Sequence, residues 1–214
     1  DTLKIRLREL AYLNKGLRIT LEDKRAGQEK KDSFCYEGGI RSFVEDLNAS
    51  REQLLFPQPL YFEEADGDTL CEVAIQYNES YNEVIYSYAN NVNTIDGGTH
   101  VEGLRLALTK VINDYGKKAG LMKESDKLSG EDVREGITAV VSVKLVNAQF
   151  ESQTKDKLNN SFIRSFVSQC VTEHLSAFME ENPSAAKELV MRCLTAQKAR
   201  DAARAARDLT RRKG

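Results

Sequence analysis

The sequence of 214 residues contains no tryptophan, only three prolines and only two histidines, and its apolar residues form no long run. A membrane-spanning helix needs about 20 consecutive apolar residues, so we expect no transmembrane segment. Residues 1–5 lack the apolar region of a secretion signal, and the chain does not begin with Met. These absences predict a cytoplasmic protein and indicate that the chain is one segment of a longer one.

Cysteine and histidine are too sparse for a metal site. The four cysteines show no Cys-x-x-Cys spacing: Cys35, Cys71, Cys170 and Cys193. With two histidines, His100 and His174, the sequence offers no pattern of zinc ligands. We therefore expect reduced, largely buried thiols and no bound metal.

Neither sign of charge dominates, since 31 basic residues face 33 acidic ones and the net charge is −2. The chain as a whole therefore has no general attraction to nucleic acid. Residues 198–213 differ, with seven basic side chains against two acidic ones. Four arginines there share one face of a predicted helix: Arg200, Arg204, Arg207 and Arg211. This basic stripe either follows DNA phosphates or faces solvent, and the pattern leaves both open.

Apolar periodicity predicts a mixture of helices and strands, followed by helices alone. The predicted helices are 3–14, 40–47, 100–116 and most of 161–211, and Ser129 with Asp132 forms a capping box before a brief helix. The predicted strands are 17–21, 33–36, 60–64, 70–77, 83–88 and 137–145, the last being the clearest. The order indicates an α+β fold with a mixed domain, 1–160, and C-terminal helices, 161–214.

The first C-terminal helix carries large apolar side chains that are expected to share its buried face: Phe162, Phe166, Cys170 and Phe178. His174 lies within the same face and is predicted to be a core or interface histidine.

No motif of a self-contained active site is present. The sequence lacks a Walker A loop, G-x-S-x-G, H-E-x-x-H and G-x-G-x-x-G. Gly97-Gly98 could cradle a phosphate, but a turn before a helix is the preferred interpretation. His100, near the start of that helix, is predicted to be neutral and structural, because the helix dipole disfavours its charged form.

The polar loop after the clearest strand is the one segment whose chemistry suits an anion. Residues 149–158 read Gln-Phe-Glu-Ser-Gln-Thr-Lys-Asp-Lys-Leu and present Lys155 and Lys157. Composition alone indicates a solvated loop. A lysine can also reach a phosphate as a compact point charge, but one lysine cannot bind a nucleotide, so such a site needs another domain.

This segment resembles the Q-T-K loop of type IIA topoisomerases. Four further blocks resemble the same family in the same order: 7–16, 36–40, 97–103 and 131–144. The resemblance covers nearly the whole chain and is strongest to the gyrase B subunit, with the topoisomerase IV equivalent close behind.

The resemblance implies the second half of an ATPase region. Its fold would be the left-handed β-α-β type of the second domain of ribosomal protein S-five, with a long C-terminal helical stalk toward the DNA gate. The ATP pocket and the Mg²⁺ ligand would lie in a preceding GHKL-type domain, so the fragment alone would bind no cofactor and be inactive. Gln153 and Lys155 would contact the ATP γ-phosphate, Lys155 with a catalytic role, and Lys157 is a weaker candidate.

The resemblance also implies partners: double-stranded DNA, the gyrase A protein and a second copy of the B protein. Arg105 would face the cavity through which DNA passes, whereas the residues alone favour a surface arginine near Glu102. A different class of function is a stand-alone nucleic-acid-binding module, since the fold family includes RNA-associated proteins and the C-terminus is basic. The net charge and the lack of an aromatic stacking motif disfavour it.

Overall fold

The computed structural model describes residues 2–52 and 54–213, with the side chains of residues 212 and 213 excepted. Asp1, Gln53 and Gly214 lie outside the described residues. Asp1 is the first residue of the predicted domain 1–160, and Gly214 is the last residue of the predicted domain 161–214. The helices and strands are α1 Thr2–Leu13, β1 Ile19–Asp23, β2 Lys30–Phe34, α2 Ile40–Leu47, β3 Leu60–Asp66, β4 Thr69–Tyr77, β5 Val84–Ala89, β6 Val92–Asn93, α3 Thr99–Lys118, α4 Gly130–Arg134, β7 Ile137–Lys144, α5 Ser161–Glu181 and α6 Pro183–Lys213.

A mixed five-stranded sheet with the strand order β3-β4-β7-β5-β6 forms the centre of the fold, and β1 and β2 make a separate antiparallel hairpin. β7 pairs antiparallel with β4 and parallel with β5, so that Val141 lies between Val73 and Ser87. Parallel neighbours need a crossover connection, and α3 and α4 lie between β5 and β7 in the chain. The α+β class is thus confirmed, whereas the handedness of this β-α-β unit, and with it the S-five-like fold, stays a prediction.

β7 is buried on both faces because helices cover both sides of the sheet. Val141 and Val143 belong to the larger core, which also contains residues of α3, α5 and α6. Val140 points the other way, into a smaller core where Tyr12 of α1 stacks on Phe43 of α2 with ring centroids 4.7 Å apart. Alternate side chains of β7 therefore point into two different cores, rather than into one core and into solvent.

α3 and α5 pack closely across the larger core. A Cβ atom at Gly103 of α3 would lie 2.4 Å from the carbonyl oxygen of Arg164 on α5. Because real Cβ contacts are never that short, the two helix backbones can approach to this distance only with glycine at position 103. This contact fixes α5 against the helix that follows the Gly97-Gly98 turn.

The predicted buried face of α5 is wrong in detail. Phe162 is 52% exposed, and Phe166 and Phe178 are only partly buried at the edge of the core. The buried residues are instead Ile163, Val167, Cys170, Val171, Leu175 and Met179. Successive residues are about 100° apart around a helix. Phe162 and Phe166 are next in sequence to the buried Ile163 and Val167, so a face defined by the phenylalanines is rotated toward solvent.

His174 is not a core residue. Its side chain is 38% exposed, its Nε2 lies 2.8 Å from Oε1 of Glu64, and its ring stacks on Phe62. The ring thus covers the end of the sheet near β3 and keeps one edge in water.

The two halves of α6 lie in different environments. Its first half packs on the core through Leu189, Val190 and Cys193, all nearly inaccessible to solvent. From residue 201 to residue 211 every side chain is exposed. Nothing in the described part of the protein packs against these last turns closely enough to bury them.

Candidate functional site

Loop 149–159 is closed at its base like a short hairpin. The amide of Glu151 donates to the carbonyl of Lys157 at 3.0 Å, and the amide of Asn159 donates to the carbonyl of Gln149 at 2.8 Å. Phe150 and Leu158 form an isolated antiparallel bridge between these two bonds. The loop is therefore an ordered projection rather than a loose connector.

The base of the loop is tied to the turn before α3. The amide of Leu158 donates to the carbonyl of Gly97 at 3.1 Å, and the amide of Thr99 donates to the carbonyl of Leu158 at 3.1 Å. Gly98 has a φ of +131°, and a Cβ there would lie 2.3 Å from the carbonyl oxygen of Leu158. The first amide of α3 is thus used by the loop, which supports the turn interpretation of Gly97-Gly98 over a phosphate cradle.

The tip of the loop, residues 152–155, is exposed. A turn forms it, in which the amide of Lys155 donates to the carbonyl of Ser152 at 3.1 Å, and the hydroxyls of Ser152 and Thr154 lie 2.6 Å apart. Lys155 has a φ of +61°, a left-handed conformation that costs a non-glycine residue about 1 kcal/mol. Strain of this kind is concentrated at ligand-contact sites in proteins.

The two lysines of the loop have different partners. Lys157 forms an ion pair with Glu151, its Nζ lying 3.2 Å from Oε2. Lys155 instead places its Nζ 5.9 Å from the centre of the Phe150 ring, and no ion pair joins it to a carboxylate of the described residues. Lys155 and the exposed amide of Gln153 are therefore the uncommitted donors of this tip. They can approach an anion from one side only and cannot enclose a nucleotide.

Arg105 on α3 pairs with Glu83 rather than with Glu102. Its Nε and Nη2 donate to Oε1 of Glu83 at 3.0 and 2.6 Å, while Glu102 accepts from Arg164 of α5 at 2.7 Å. Arg105 is thus a surface arginine near Glu102, with 46% of its side chain exposed, but its ion-pair partner is Glu83. Burial raises the pKa of Glu83, but its bonds from Arg134 and Arg105 outweigh burial and hold the pKa below its ordinary value.

The arginines of the basic stripe on α6 are not equivalent. Arg204, Arg207 and Arg211 are exposed. Arg200 donates through Nε and Nη2 to the two carboxylate oxygens of Asp132 at 2.8 and 3.0 Å. The structure therefore places Arg200 in a contact between α4 and α6, apart from the three exposed members of the stripe.

The buried carboxylate of Asp132 makes two contacts, one with Arg200 and one with Ser129. Its side chain is 1% exposed, and it also forms the predicted capping box with Ser129 at the start of α4. Burial raises its pKa, but the bonds from Arg200 and Ser129 hold the pKa below its ordinary value. Sequence reasoning found the capping box, but it missed Arg200, since the two residues are 68 positions apart.

His100 is buried and neutral, as predicted, but the cause is burial rather than the helix dipole. Its Nε2 lies 2.9 Å from the hydroxyl oxygen of Thr94, and burial lowers its pKa to about 4.

All four cysteines are free, and Cys35 is the one that is not buried. In the described part of the chain, no group of three or more histidine, cysteine or acidic side chains is arranged to hold a metal ion, and no helix is long and apolar enough to cross a membrane.

The fold matches solved ATPase regions of type II topoisomerases. The 43K ATPase domain of Thermus thermophilus gyrase B aligns with a TM-score of 0.84 and 40% identity over 97% of this chain and 56% of that one. The topoisomerase IV ATP binding domain of Francisella tularensis aligns with a TM-score of 0.80 and 28% identity over 93% of this chain and 53% of that one. These likenesses place the chain in the structural class of type II topoisomerase ATPase regions.

The sequence comparisons identify the family within that class. The family model for DNA gyrase B matches residues 39–209. The gyrase B subunits of Clostridium acetobutylicum and Halalkalibacterium halodurans are each 54% identical over all of this chain. The chain belongs to the DNA gyrase B family. It spans about a third, 33%, of the length of these two relatives.

Proposed function

We propose that this chain is the transducer domain of a gyrase B subunit, which contacts the ATP γ-phosphate and couples ATP binding and hydrolysis to DNA strand passage and negative supercoiling. The observation that carries the proposal is the tip of loop 149–159. It presents Gln153 and Lys155 to solvent on a base fixed by backbone hydrogen bonds. A donor pair that is exposed, ordered and unable to bind a nucleotide alone suits a site completed by another domain.

Lys155 is the residue we assign to catalysis. Its ammonium group would stabilise the negative charge that develops on the transferred phosphoryl group, and the Gln153 amide would orient the same group. In this role Lys155 leaves the face of Phe150 for a stronger partner, since a cation–π contact at an exposed site is worth only about 0.5–1 kcal/mol. Loss of the γ-phosphate removes that partner, which frees the domain to rotate.

The rest of the nucleotide site belongs to other parts of the B protein in this proposal. The described residues fit a γ-phosphate contact, but they contain no cluster of acidic side chains arranged to hold a metal ion. Mg²⁺, bound elsewhere in the full-length protein, would supply charge neutralisation on the phosphates. The isolated chain is accordingly expected to turn over no ATP.

Basic surfaces also have a role in this proposal. Arg105 and the exposed arginines of α6, Arg204, Arg207 and Arg211, would face double-stranded DNA, with Arg200 holding α6 in place through Asp132. The remaining partners would be the gyrase A protein and a second copy of the B protein, and the site of action the cytoplasm. Topoisomerase IV is the neighbouring alternative, and negative supercoiling by the enzyme reassembled with the gyrase A protein distinguishes gyrase from it.

The test of the proposal is ATP turnover by the complete B protein with Lys155→Ala. We expect kcat to fall by at least about a hundredfold while nucleotide affinity changes little, because the contact with bound ATP becomes stronger as negative charge develops in the transition state. Lys157→Ala is the matched control, since it removes the same charge from the same loop but breaks only the pair with Glu151. Equal effects of the two substitutions would sink the proposal.

The different class of function, a stand-alone nucleic-acid-binding module, predicts another result. Such a module would bind duplex DNA or RNA tightly as the isolated chain, whereas the transducer proposal predicts weak binding that disappears as the salt concentration rises. A gel shift over a salt series separates the two.

A further inference from the structure

Glu83 holds two arginines at once. It lies in the loop before β5, and its Oε1 accepts both bonds from Arg105 of α3. Its other oxygen, Oε2, accepts from Nε of Arg134 on α4 at 3.0 Å. One carboxylate thus bridges the helix that carries Arg105 and the short helix that holds the middle of α6 through Arg200.

The two arginines that Glu83 binds differ in solvent exposure. The side chain of Arg105 is 46% exposed and that of Arg134 is 16% exposed. Ion pairs between exposed side chains are weak and are screened by salt, so a strong anion from solvent can displace Glu83 from Arg105. Glu83 would keep Arg134 after the exchange and would not be left as an unpaired carboxylate.

We propose that Glu83 competes with DNA phosphate for Arg105 and thereby sets the DNA concentration at which the assembled enzyme responds. This inference rests on the proposed function, in which Arg105 faces the DNA. Without DNA, Glu83 neutralises the guanidinium group and holds it in one orientation. When a phosphate approaches, the guanidinium exchanges one anion for another, and the net attraction is smaller than that of a free arginine.

The chain contains a matched control for this contact. Glu102 lies three residues from Arg105 on the same helix, has 43% of its side chain exposed against 28% for Glu83, and pairs with Arg164 instead. Glu102 and Arg105 also line one cavity of about 240 Å³, together with Lys157. Neutralising Glu102 therefore changes the local charge by the same amount as neutralising Glu83 but does not release Arg105.

The experiment uses enzyme reassembled from the complete gyrase A and B proteins and linear duplex DNA as the probe. The measured quantity is the DNA concentration that gives half-maximal stimulation of ATP turnover. We expect Glu83→Gln to lower it by up to about fivefold at low salt, the upper limit for loss of one exposed ion pair. The shift should shrink as salt is added and vanish when Arg105→Ala is also present. Glu102→Gln should give a smaller shift that is the same with and without Arg105.

The possible failures are distinguishable. A Glu83→Gln shift that persists without Arg105, or that only equals the shift of Glu102→Gln, would overturn the role of Glu83 and leave the proposed function intact. If Arg105→Ala leaves the DNA response unchanged, Arg105 does not contact DNA, and that part of the proposed function is wrong. If Glu83→Gln fails to fold, Glu83→Asp keeps a charge near Arg134 with a shorter reach. An unchanged DNA response in that variant also overturns the proposal.

Discussion

At the scale of single residues, contacts between near neighbours in the sequence were easier to predict than contacts between distant ones. The sequence pattern suggested anion contact by Lys155 because a lysine in a polar loop suits a phosphate, and the capping box of Asp132 was visible at a spacing of three residues. The left-handed backbone of Lys155 and the pairing of Asp132 with Arg200 had no local signal. The Lys155 conformation belongs to the tight turn of residues 152–155, whereas the Asp132 pair depends on how segments 68 positions apart meet.

His100 gives the residue-scale prediction. Burial holds its pKa at about 4 in the folded protein, below its ordinary value of 6.5. Between these pH values the unfolded chain binds a proton that the folded chain does not, so stability is present above pH 6.5 and lost as the pH falls toward 4. We expect the free energy of unfolding to drop by about 2 kcal/mol from pH 7 to pH 5 through this group.

Comparison with His100→Gln isolates that contribution, because the buried carboxylates titrate equally in both proteins. Thermal unfolding of the variant should show a shallower loss between pH 7 and pH 5. Parallel stability curves for wild type and His100→Gln would contradict the assignment.

At the scale of elements, periodicity located most helices and strands but not always their faces. α2 was predicted with its observed bounds, and β7 was recognised by its alternation, although it separates two cores. The face of α5 was rotated because this helix has large apolar residues on more than one side. β6 was missed, since two residues, Val92–Asn93, carry no periodicity.

The contact between α4 and α6 gives a prediction about stability. Arg200→Ala should lower the melting temperature by about 5 °C, because it leaves the buried Asp132 carboxylate without its cation. Arg204→Ala, four residues further along the same helix at an exposed position, should leave the melting temperature unchanged. Equal melting temperatures for the two variants would mean that the Asp132 pair does not hold α6.

The exposed part of α6 gives a prediction about DNA. Reversing Arg204 and Arg207 to glutamate in the complete enzyme should raise the DNA concentration for half-maximal ATPase stimulation about tenfold at low salt, with no change in melting temperature. Lys187→Glu with Lys198→Glu is the control, since these exposed lysines lie on another face of α6. An unchanged DNA response across a salt series would show that the stripe is only solvated.

At the scale of the whole molecule, the larger of the two cores connects the surfaces to which the proposed function gives roles. Backbone bonds tie loop 149–159 to the start of α3, α3 packs tightly on α5, and α4 holds α6 through Asp132. Close-packed cores transmit displacement rather than absorb it. A shift imposed at Lys155 would therefore move α6 with the rest of the domain, which is what a transducer requires.

The most direct test of the γ-phosphate contact is a structure of the complete B protein with a non-hydrolysable ATP analogue. We expect Nζ of Lys155 to leave the Phe150 ring and to lie about 3 Å from a γ-phosphate oxygen, with the Gln153 amide beside it. A γ-phosphate that is fully coordinated by other residues, with Lys155 still over Phe150, would contradict the role proposed for this loop.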